Sequence, residues 1–264
     1  MQQIQIYQID AFADRVFHGN PAAVCPLEHW LDDEILQAIA QENNLAETAF
    51  FIPTDQGFHI RWFTPKFEVP LCGHATLASA FVIFTELEPE RQSIQFESIS
   101  GILQVTRKGS MFELDFPAYD MLPCQSPPEN LLKSLKVQPQ ELFLVESDPN
   151  YYIILPNENE VRSFEPDLTT MEQLHPYGVV ITAPGIHSDC ISRYFAPSYG
   201  IPEDPVTGSI HSALVPYWSN QLNKPKIHAY QASQRGGDLY CEYQGKRVLI
   251  RGHAVKFLTG NINI

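Results

Sequence analysis

One short stretch occurs twice in this chain, and that repetition limits the fold more than any other feature. The first copy reads Arg61-Trp62-Phe63-Thr64-Pro65, then Glu68-Val69-Pro70-Leu71-Cys72-Gly73-His74. The second reads Arg193-Tyr194-Phe195-Ala196-Pro197, then Glu203-Asp204-Pro205-Val206-Thr207-Gly208-Ser209. Glu68 falls on Glu203, Pro70 on Pro205 and Gly73 on Gly208, while Arg61 and Phe63 fall on Arg193 and Phe195 once three residues are inserted between the blocks. In a chain of 264 residues this offset is about half the length, which indicates duplication of a domain-sized unit, since solenoid repeats recur every ~20–50 residues.

Each copy has the same local logic. A strand (58–63 in the first half, 191–195 in the second) is stopped by proline, a turn follows, and a glycine with small neighbours opens a helix. The first helix, 74–84, carries no charge on any face and is expected to be buried. Its counterpart begins at Ser209 and is equally uncharged, with Pro216 expected to kink or end it. A buried helix start leaves about four N–H groups without intrahelical partners, and glycine lets a ligand approach them. Two such starts suit one carboxylate. The alternative is that both are simply glycine turns before core helices.

A net charge of −14, with no cluster of Lys or Arg, makes nucleic acid and anionic membrane poor partners, and neither is expected. Five cysteines (25, 72, 124, 190 and 241) are widely spaced and form no C-x-x-C pair, so reduced thiols in a cytoplasmic protein are expected. The segment 1–9 alternates polar and apolar residues like a first strand, and no run is long enough to span a membrane.

Along the chain, a turn at Gly19-Asn20-Pro21 leads into a small-residue strand. A helix is expected over 31–43, with Asp32, Asp33 and Glu34 in its first turn. Glu47 then stands alone among apolar and small residues leading into a strand. It reads either as a chemically distinctive acid or as a solvated one at a strand edge. Further strands are expected at 58–63, 93–98, 101–107 and 111–116, around the buried helix. The proline-rich segment 117–128 is the expected connection between halves. The second half predicts short helices over 128–135 and 167–174. Its expected strands are 141–146, 151–155, 160–164, 177–182, 189–195, 227–231, 239–243, 247–252 and 255–259.

Taken together, Phe17-His18-Gly19-Asn20-Pro21-Ala22-Ala23-Val24, Asn44-Leu45-Ala46-Glu47-Thr48-Ala49-Phe50, Arg61 to Pro65, Gly73-His74-Ala75-Thr76-Leu77 and Glu203 to Ser209 closely resemble the PhzF-like phenazine-biosynthesis family. That family shares its fold with diaminopimelate epimerase and proline racemase. The resemblance implies an α+β protein of two pseudo-symmetric domains, each a barrel-like, mostly antiparallel sheet around a central helix. The expected spans are 1–117 and 118–264, with the last strand, near 255–264, returning to the first. It further implies a homodimer, an active site in the cleft between domains, and neither cofactor nor metal. Glu47 matches the family's proton-transferring acid/base, with His74 and Asp204 as its catalytic companions. Gly73, Gly208 and Ser209 match the substrate-binding turns. The implied reaction is isomerisation by proton shift on a small carboxylic acid, for which a desolvated carboxylate is a suitable base.

Two other readings remain open on sequence. Cys72 precedes Gly73 where epimerases of this fold carry a catalytic thiol, and Thr207 stands where they carry the second. A single-thiol epimerase or dehydratase would therefore use Cys72. The chain could also bind a metabolite or protein partner without turnover. The nine histidines give no H-x-x-x-H spacing, so no metal site is expected.

Overall fold

The computed structural model describes residues 2–264. The chain separates into two compact units: one ends at Asp115 and takes back Ile250–Ile264, and the other is Phe116–Leu249. The cut at Asp115 falls inside the strand Met111–Pro117, so no flexible linker is needed to separate the halves. No helix among the described residues is long and apolar enough to cross a membrane.

In the first unit Gln3–Ala11 runs antiparallel to both Asn20–Pro26 and Ala254–Asn263. Asn20–Pro26 lies parallel to Glu47–Pro53, which is antiparallel to Phe58–Phe63. Phe58–Phe63 pairs antiparallel with Glu68–Val69 and parallel with Ser93–Ser98, which turns back on Gly101–Lys108. The second unit repeats this order. Glu141–Val145 is antiparallel to Asn150–Ile154, and that strand is parallel to Gly178–Pro184. Gly178–Pro184 is antiparallel to Cys190–Ala196, which pairs antiparallel with Ile201–Asp204 and parallel with Lys226–Gln231; the last turns back on Gly237–Tyr243. The duplication read in the sequence is thus a duplication of sheet topology, parallel joins included.

Each unit also holds its uncharged helix. In Gly73–Val82 every residue but Phe81 is buried, and the chain continues through one widened turn closed by Glu88 N–H on Ile83 O at 2.7 Å. An all-round apolar helix has no stable surface position, so the sheet must wrap it. Trp62, Phe12, Phe50, Phe51, Phe84 and Phe96 supply the largest fully buried side chains of the first unit. In the second unit His211–Leu222 is buried from His211 through Pro216.

Two expectations need correction. Pro216 neither ends nor interrupts the second helix, which runs on to Leu222. A proline at this position removes the N–H that would bond to Ser212 O, and the Tyr119 N–H donates to that carbonyl instead, at 2.9 Å. The segment expected as a strand at 160–164 is a short helix, Glu158–Arg162. Asn157 caps it: its side-chain oxygen accepts the Glu160 N–H at 3.1 Å, and its amide reaches the Glu160 carboxylate at 3.2 Å. This is an Asn N-cap with a side-chain link to Glu160, and it outweighs the apolar alternation.

The repeated Arg and Glu have a shared structural task. Arg61 grips the Glu68 carboxylate through two bonds of 2.7 Å, and Arg193 grips Glu203 at 2.7 and 3.0 Å. Each guanidinium lies 5.0 Å from the ring two residues on, Phe63 or Phe195. The fork ties the strand to the turn that leads into the helix. The two clamps differ in surroundings. Arg193 also donates to the carbonyls of Val161 and Phe164, at 3.2 and 2.7 Å, whereas Arg61 reaches the exposed Asp33 at 2.8 Å. Arg193→Met is therefore expected to cost about 2–4 kcal/mol and Arg61→Met about 1 kcal/mol. Urea midpoints of the two variants check this, and equal losses would contradict it.

Candidate functional site

In the first unit the site grows from three segments. Gly19, at a φ of +66°, turns the chain where an added Cβ would meet Ala11 O at 2.1 Å, so only glycine fits there. That turn delivers Asn20 to the start of its strand, fully buried. Glu47 opens the neighbouring parallel strand, in register with Ala22. Cys72 occupies the position just before the helix, with Gly73 and His74 as its first two residues. Thr76 secures this start by donating its N–H and its hydroxyl to Cys72 O, at 3.1 and 2.6 Å.

These segments bring Glu47, Cys72 and His74 together, all buried, with one polar atom from each within 4.8 Å of the others. His74 is the hub. Its Nδ1 lies 3.1 Å from the Asn20 amide nitrogen and 3.5 Å from Cys72 Sγ, and its Nε2 lies 3.2 Å from Glu47 Oε2. Burial holds the imidazole down, to about 3, so the ring is neutral at pH 7. A neutral ring carries one proton. With Asn20 donating to Nδ1 that proton sits on Nε2, which lies 3.2 Å from Glu47 Oε2 without the alignment of a hydrogen bond.

In the second unit Asp204 ends the strand Ile201–Asp204 and is 7 % exposed. The Thr207 hydroxyl donates to its carboxylate in a short bond. Gln231, wholly buried, fixes both residues: its Oε1 accepts the Thr207 N–H at 2.8 Å, and its Nε2 donates to Asp204 O at 2.9 Å and to Thr207 Oγ1 at 3.1 Å. Gly208 and Ser209 form the turn into the helix, their carbonyls accepting the N–H groups of His211 and Ser212. His211, fully buried, donates Nδ1–H to Thr207 O at 2.7 Å.

Asn20 and Gln231 are the members of these networks that sequence reasoning passed over. Buried amides give no periodic signal. The available hint was that each sits beside a segment already singled out, Asn20 after Gly19 and Gln231 at the end of a strand.

Known proteins match this chain along nearly its whole length. Residues 9–260 match the family model PhzC-PhzF, described as phenazine biosynthesis-like protein. A Pseudomonas aeruginosa protein named as an uncharacterized isomerase is 44% identical over 99% of this chain and 100% of its own length. The crystal structure of an Enterococcus faecalis PhzF-family protein superposes with a TM-score of 0.95 at 41% identity, covering 100% of both chains. A hydroxyproline epimerase from Agrobacterium vitis, at 10% identity and a TM-score of 0.65, covers 98% of this chain and 92% of its own. It shares the fold.

Proposed function

Because this chain belongs to the PhzC-PhzF family of phenazine biosynthesis-like proteins and is an isomerase, we propose that it moves a proton between two carbons of a small carboxylic acid with Glu47 as the single acid/base. The observation that carries this reading is the buried pair of Glu47 Oε2 and His74 Nε2 at 3.2 Å.

The ionised carboxylate takes a proton from a carbon whose C–H bond is weakened by a neighbouring carboxyl or double bond. The electron pair of that bond shifts into the conjugated system, the proton held on Glu47 exchanges with solvent, and Glu47 delivers a proton to another carbon as the double bond relocates. Substrate and product are isomers, so no electron carrier or co-reactant enters, and the reading includes no cofactor. His74 Nε2 stands 3.2 Å from the carboxylate, and a small turn of the Glu47 side chain lets it accept the Nε2–H when it is charged. Because the ring is neutral it does not compete as an acid at pH 7. The helix start at Gly73 offers N–H groups and a positive dipole end to a substrate carboxylate. In the second unit Gly208 and Ser209 offer the same, and Asp204, held by Thr207 and Gln231, is assigned to a substrate amino or hydroxyl group. That both units serve one substrate is part of the proposal, supported by the duplicated motif.

The engagement of the Thr207 hydroxyl with Asp204 favours this reading over a two-base thiol mechanism. The test is proton exchange by NMR in deuterated water over a panel of small cyclic and amino carboxylic acids. Deuterium entering at carbon in at least one acid, dependent on enzyme, is the expected result. Binding of panel members by the folded protein with no exchange in any of them would turn the assignment to a metabolite binder.

A further inference from the structure

Glu47, Cys72 and His74 place three different donor types, a carboxylate oxygen, a thiol sulfur and an imidazole nitrogen, within 4.8 Å of one another in a buried setting. Proton transfer as proposed above uses the first and third of these and leaves the sulfur unexplained. Donors bound to a tetrahedral zinc ion, at ~2.0–2.3 Å from the metal, stand about 3.3–3.6 Å apart. Two contacts already have that spacing: Cys72 Sγ to His74 Nδ1 at 3.5 Å and Glu47 Oε2 to His74 Nε2 at 3.2 Å.

We propose that Glu47, Cys72 and His74 form a capture site for a thiophilic divalent cation of the zinc class, with the fourth position left to water or a small anion. The ion takes Nε2, which already lies 3.2 Å from Glu47 Oε2, and Cys72 closes by rotation about its own side-chain bond. Nδ1 then carries the proton, and Asn20 can turn its amide so that the carbonyl oxygen accepts from it. Such outer partners orient ligating histidines. The Cys72 thiol loses its proton to solvent as the metal–sulfur bond forms, and the two anionic ligands balance the double charge. Sulfur and imidazole together select zinc-like ions over magnesium or calcium. A metal held here would occupy Glu47 and so block isomerisation. That consequence rests on the functional reading, whereas the binding itself does not.

Cobalt(II) titration of the purified full-length chain tests binding without any substrate. The expected result is one equivalent bound with an intense near-ultraviolet thiolate-to-cobalt absorption, displaced by added zinc. In Cys72→Ala that absorption disappears. In Glu47→Gln it persists, with affinity reduced at least about tenfold, since loss of even an outer partner weakens metal sites by roughly 10–100-fold. Absence of the absorption in wild type overturns the site, and so does the same absorption in folded Cys72→Ala, which places the metal on another thiol such as the part-exposed Cys124. Should Cys72→Ala fail to fold by circular dichroism, unchanged cobalt affinity in Glu47→Gln overturns it equally. Either failure leaves the isomerase reading to be judged by its own exchange assay.

Discussion

Glu47→Gln is expected to lower enzyme-dependent proton exchange by about 10²–10⁴-fold while leaving the fold intact. The range is that of a positioned acid/base removed from a proton-transfer transition state. Glutamine preserves the volume of the side chain and keeps an oxygen for the position 3.2 Å from His74 Nε2, so packing around Asn20 and the helix start has little reason to change. What glutamine lacks is basicity. Circular dichroism and thermal unfolding close to wild type, together with lost exchange, separate chemistry from folding. Cys72→Ala serves as the contrasting variant and is expected to lose far less than Glu47→Gln. The reverse order of the two would assign the base to sulfur and the protein to the thiol-dependent branch of this fold.

Acid is expected to unfold this protein early, through two buried neutral histidines. Burial lowers His74 to about 3, and it lowers His211 to about 4 against the opposing effect of the Thr207 carbonyl that accepts its Nδ1–H. The unfolded chain binds these protons near the ordinary histidine value of about 6.5, while the folded chain does not until lower pH. Between those values the unfolded state carries more protons, so stability is fully present above about pH 6.5 and falls as pH falls. At pH 4 each histidine contributes a loss of roughly 3 kcal/mol. Both together are comparable to the whole stability of an ordinary domain, about 5–15 kcal/mol. Urea midpoints at pH 7, 5.5 and 4 measure the decline. His211→Asn keeps a side-chain donor for the Thr207 carbonyl but cannot titrate, and is expected to show a visibly shallower decline with pH. A slope unchanged from wild type would show that other groups govern acid unfolding.

How much of this was legible beforehand differs residue by residue. Glu47 stood out as a lone acid among Leu45, Ala46, Thr48 and Ala49, although a solvated place at a strand edge reads the same in the sequence. Gly73 and His74 stood out because a charge-free run must be a buried helix, and its beginning must present unpaired N–H groups. The repeat announced two similar units, yet it did not reveal that Arg61 with Glu68 and Arg193 with Glu203 are matching clamps, because a charged pair on a motif looks the same whether its members meet or face water. Local rules misjudged Glu158–Arg162 and Pro216 for opposite reasons. In the first, a cap from Asn157 outcompeted apolar alternation; in the second, the distant Tyr119 N–H satisfied the Ser212 carbonyl that proline leaves open.

The sequence by itself determined the duplication and the two buried helices, because each is written in spacing and in the absence of charge. Only the tertiary structure decided which polar groups meet: Asn20 with His74 across 54 residues, His74 with Glu47 and Cys72, Gln231 with Asp204 and Thr207. Donors and acceptors are fixed by residue type. Their partners are fixed by strand register and by the way each sheet wraps its helix, and these arise only when the whole unit closes on its core.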